Sequence, residues 1–110
     1  MKQYVIDQIR PEDRERLQTE LEERFGQPDL GGIYWLPLDG ERLNPLQAAH
    51  QNCQPLCVAL ELCSDRLVCE LLIRTRQRMR CDCMGYADSR QRGWIMDTLD
   101  NILDDLDIKI

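Results

Sequence analysis

No run of apolar residues in this chain approaches the twenty or so that a membrane-spanning helix needs. Met1-Lys2 leads straight into an alternating segment that already contains Asp7, so no secretory leader is expected. Internal repeats, low-complexity tracts and linkers are also missing. There is no glycine-rich phosphate loop, carboxylate-rich metal motif or nucleophile elbow. The usual sequence signatures of catalysis are thus wanting, and a non-catalytic module is the first expectation. The paired C-x2-C knuckles of many zinc domains do not occur either, and histidine is used once, at His50.

What is present fits one domain spanning residues 1–110. The chain is 43% hydrophobic and 31% charged, a composition that folds rather than one that stays disordered. Its formal charge of -6 argues against bulk attraction to nucleic acid or an anionic membrane. The charge is uneven. Between Arg66 and Arg92 seven arginines face only Glu70, Asp82 and Asp88, a local surplus of four positive charges. The six cysteines lie in segments with their own apolar core, unlike those of loop-rich disulfide scaffolds. They read as reduced thiols, and the cytoplasm is the expected compartment.

The organising stretch is Pro55 to Tyr86. Successive strand side chains point to opposite faces, so residues two apart share one. Leu56, Val58, Leu60 and Leu62 form an unbroken apolar row, against Cys57, Ala59, Glu61 and Cys63. Ser64-Asp65 makes a two-residue turn. From Arg66 to Arg74 the core row is Leu67, Cys69, Leu71 and Ile73. A second turn is expected over Thr75 to Gln77, after which Met79, Cys81 and Cys83 resume an inward row and complete a three-stranded meander.

Around this stretch, Lys2 to Ile9 reads as a strand. Pro11 opens a helix to about Phe25, with a Leu17, Leu21, Phe25 stripe and Gly26 placed to end it. Gln27 to Gly32 is a loop, followed by a strand over Ile33 to Leu36. Two strands joined by a helix favour a parallel, right-handed crossover. Asn44, Pro45 and Gln47 supply N-cap, N1 and N3 of a short helix ending near Cys53, with Leu46, Ala49, His50 and Cys53 on one stripe. Asp88 and Gln91 repeat that capping logic for a last helix carrying Ile95, Leu99, Ile102 and Leu106. The expected fold is a two-layer α+β sandwich of order β-α-β-α-β-β-β-α, with one mixed sheet of about five strands and two long helices on one face.

Three groups of residues could carry function. His50, Cys53, Cys81 and Cys83 offer the N and S donors of a tetrahedral zinc site, provided the short helix packs over the third strand. A redox or nucleophilic use of these thiols is less well supplied, since neither C-x3-C nor C-x-C is the activating C-x-x-C, and no group orienting His50 can be named. Arg74, Arg76, Arg78 and Arg80 form a row suited to phosphate, beside Tyr86 as a stacking surface, which raises nucleic acid as a partner. Finally, Cys57, Ala59, Cys63, Val68 and Leu72 make the sheet's other face too apolar to lie bare. Either the short helix with the Leu38 to Leu43 loop covers it, or a second copy does, as in a homodimer. If the helix lies there it cannot also meet Cys81 and Cys83. The function expected is a small cytoplasmic interaction or regulatory module that self-associates. A zinc or thiol site is the alternative, and nucleic-acid binding a further one.

Overall fold

The alternation in the central strand decides the architecture. In the computed structural model, which describes residues 1–29 and 31–110, Leu56, Val58 and Leu60 are fully buried in β3 (Leu56–Leu62). Above them lie α1 (Pro11–Phe25) and α3 (Ser89–Asp105), which contribute Leu17, Leu21, Ile95, Leu99 and Ile102 to the same core. The result is a two-layer α+β sandwich with both long helices on one face.

Six strands form the sheet, and every pairing is antiparallel. β1 (Gln3–Ile6) pairs with β4 (Leu67–Glu70), and β2 (Ile33–Pro37) pairs with β3. Besides β2, β3 pairs with β4 and with β5 (Leu72–Thr75), and β5 pairs with β6 (Gly85–Tyr86). The sheet is therefore antiparallel where a mixed one was expected. The helix between β1 and β2 does not make a parallel crossover, because β4 and β3 separate the two strands. The expected second strand of the meander is interrupted at Leu71. Its N–H donates to Lys2 O at 3.0 Å, and its carbonyl accepts from Ala87 N at 2.8 Å, so one residue serves two different neighbours. Parity survives the interruption, since Leu67, Cys69, Leu71 and Ile73 all remain buried.

The third strand is the larger departure. Only Gly85 and Tyr86 pair in it, and residues 76–84 follow an irregular path in which Met79 is 96% exposed. Arg76, Gln77, Arg78, Met79 and Arg80 offer no buried row to hold a strand down.

The helices follow their local signals. Pro11 stands at the first position of α1, and Gly26 closes it at φ +82°, donating its N–H to Glu22 O at 2.9 Å. Leu30, within the expected Gln27 to Gly32 loop, lies outside the described residues. The short helix α2 (Pro45–Ala49) ends before His50, and a 3-10 turn over Gln51–Cys53 continues it. Its stripe differs from the expected one. Leu46 is 48% exposed and Ala49 is exposed, whereas Gln47 is buried. No helix among the described residues is long and apolar enough to cross a membrane.

The burial pattern makes a direct prediction. Truncating Leu60 to Ala in the centre of β3 should cost about 2–5 kcal/mol in urea unfolding, whereas Leu46→Ala should change stability by less than about 0.5 kcal/mol. A tolerant Leu60 or a sensitive Leu46 would contradict this placement.

Candidate metal centre

His50, Cys53, Cys81 and Cys83 converge where α2 meets the irregular segment. Their ligand atoms all lie within 4.8 Å of one another, so the group could hold a metal ion. His50 Nδ1 lies 3.1 Å from Cys81 Sγ, and the Cys53 and Cys81 sulfurs are 3.7 Å apart. A tetrahedron with zinc–sulfur bonds of about 2.3 Å has sulfur–sulfur edges of about 3.8 Å. The thiol pair already stands at that spacing.

The local backbone explains why four residues from two distant segments meet. After α2, Cys53 N donates to His50 O at 3.0 Å, and the turn carries both side chains to one side. In the second segment Met84 N donates to Cys81 O at 3.0 Å. This is a tight turn through Asp82 and Cys83, so a turn, not strand alternation, brings the two thiols of C-x-C together.

A polar frame fixes the two segments to each other. Gln47 and Gln91 close the capping boxes of α2 and α3, each accepting with its side-chain oxygen from the N-cap amide, of Asn44 and Asp88 respectively, at 3.1 Å. The two buried amides also bond each other, Gln91 Nε2 donating to Gln47 Oε1 at 2.9 Å. Gln91 Nε2 donates as well to Arg42 O at 2.9 Å, and Gln47 Nε2 to Cys83 O at 3.2 Å. On the opposite side, buried Thr75 donates its hydroxyl to Cys53 O at 2.7 Å. The backbone carbonyls of two of the four residues are thus held by buried side chains. Their signal was present in the sequence as N3 glutamines, but capping alone does not reveal that the two boxes interlock.

The thiols are electrostatically unequal. Hydrogen bonds from the Cys83 amide and thiol, with smaller contributions from Cys53 and His50, lower the Cys81 thiol to about 7. Burial pushes the Cys83 thiol up to about 12, and its hydrogen bond to Cys81 adds to the rise. Cys81 is half-exposed, beside an open cleft of about 430 Å³ that His50, Asn52, Cys53 and Arg78 also line. All six cysteines are free thiols.

The arginines behave differently from a row. Arg74 pairs with Glu70 at 3.1 Å, Arg76 lies 5.0 Å over the Trp35 ring, Arg78 borders the cleft, and Arg80 is exposed. The short helix is equally definite: by meeting Cys81 and Cys83 it cannot cover the sheet's other face. Comparisons with protein-family models, curated proteins and solved structures find no match to this chain.

In metal-free protein, iodoacetamide should modify Cys81 with a rate that rises through about pH 7, because the thiolate is the nucleophile and its fraction grows as pH passes the lowered value. The unfolded chain should instead show the ordinary thiol midpoint of about 8.5. Mass mapping of the labelled site checks this. A native Cys81 midpoint matching the unfolded one would contradict the hydrogen-bonded geometry.

Proposed function

We propose that this chain is a small non-catalytic interaction module in which His50, Cys53, Cys81 and Cys83 bind one structural zinc ion. The observation that carries the reading is the convergence of one imidazole and three thiols, with the Cys53 to Cys81 spacing of 3.7 Å close to a tetrahedral edge. Thiolate and imidazole donors favour zinc over hard cations such as magnesium or calcium. Four protein ligands would fill a tetrahedral ion, which leaves no position for water or substrate, so its role would be structural.

The metal would act on the part of the chain least able to hold itself. Residues 76–84 follow an irregular path, and the exposed side chains of residues 76–80 bury little surface. Bonds from Cys81 and Cys83 to an ion shared with His50 and Cys53 would clamp this segment to α2. Six free thiols suit a reducing compartment, which supports a cytoplasmic site of action. Nucleic-acid binding is the weaker reading, because Arg74 and Arg76 are engaged by Glu70 and Trp35 and the four arginines do not line one surface.

Protein purified without added metal should carry about one zinc per chain by elemental analysis, and Cys81→Ser should lose most of it, whereas Cys57→Ser should keep it. Binding should release thiol protons and weaken as pH falls. Less than about a tenth of an equivalent, with all six thiols titratable on unfolding, would remove the zinc reading.

A further inference from the structure

We propose that the sheet face turned away from the helices is a self-association surface that receives a second copy of this chain. Three buried hydrophobic residues, Cys57, Ala59 and Val68, do not belong to the core cluster that the helices cover. They lie on the opposite face, where neighbouring side chains shield them: Trp35 stands across from Ala59, with the Arg76 guanidinium over its ring. Val5, across from Val68, is 43% exposed at the edge of this patch. Neither long helix nor α2 reaches this side, since all three pack on the core face.

Charge selects the occupant. The chain carries a net -6, and the second half of α3 adds Asp97, Asp100, Asp104 and Asp105 without one basic residue, so helical faces of two copies repel. This sheet face carries both signs, with Glu61, Glu70 and the Trp35-bonded Asp29 against Arg74 and Arg76. It is also self-complementary along the strands. Glu61 sits opposite Val68 at one end of β3, and Arg74 sits opposite Cys57 at the other, with Ala59 between them. A two-fold axis near Ala59 therefore sets each copy's Glu61 toward the other's Arg74 across an apolar centre. This surface deepens the reading of the chain as an interaction module by naming its partner, and it stands on the far side of the sheet from the metal centre.

Sedimentation at tens of micromolar, with and without chelator, tests the proposal. The wild-type chain should sediment as a dimer of the 13.0 kDa protomer. Glu61→Arg and Arg74→Glu, each checked for folding by circular dichroism, should each weaken the dimer at least ten-fold by opposing like charges. Mixing the two variants should restore association as a heterodimer, since both cross-pairs then carry opposite signs. A monomeric wild-type chain, a dimer indifferent to both reversals, or singles that stay apart when mixed would each overturn the surface. Loss of the dimer on chelation alone would assign assembly to the metal segment and overturn it too. Zinc content measured on the same samples separates failure of this surface from failure of the metal reading.

Discussion

The hydrogen bond between the buried side chains of Gln47 and Gln91 is the constraint on which the candidate site depends. Each amide also completes its own capping box, and Gln47 reaches on to the Cys83 carbonyl. One connected set of polar groups therefore joins the starts of two helices to a segment with little regular structure. Breaking a member leaves the others buried without partners, at about 1–3 kcal/mol for each unsatisfied group. That penalty exceeds the roughly 1 kcal/mol net worth of a typical exposed bond, so the frame tends to stay whole.

The frame places the donors, and the donors explain what the segment gains from a metal. Exposed arginines and a fully exposed Met79 provide almost no apolar burial to anchor residues 76–80, and it is Cys81, Cys83 and Met84 that pack the end of the segment on the core. Hydrogen bonds hold its end near Cys83, and Thr75 holds Cys53 across from it. An ion on three thiolates and one imidazole would carry a net negative charge, and Arg78 in the same cleft is of the sign that compensates it. At that exposure the compensation is screened, so coordination would dominate the energetics.

Much of the fold was legible because it rests on strong local periodicity. The row of Leu56, Val58 and Leu60 predicted the buried face, and the helix boundaries followed Pro11, Gly26, Asn44 and Asp88. Both capping boxes were readable residue by residue. What periodicity could not supply was partnership across the chain. Strand β2 lies on the far side of β3 from β1, a pairing choice that depends on how the Leu36 and Leu60 faces pack and not on local pattern. Met79, Cys81 and Cys83 alternate as a strand would, yet without a paired neighbour they turn. The four metal donors could be named from their chemistry alone. Their convergence needed the Gln47–Gln91 bond, which links positions 44 residues apart. The same docking of α2 settled which face of the sheet the short helix covers.

X-ray absorption at the zinc edge of the purified protein tests the central claim most directly. The account predicts one metal surrounded by three sulfurs at about 2.3 Å and one imidazole nitrogen at about 2.0 Å. A shell dominated by nitrogen and oxygen, or a sulfur count unchanged when Cys83 is replaced by Ser, would contradict it.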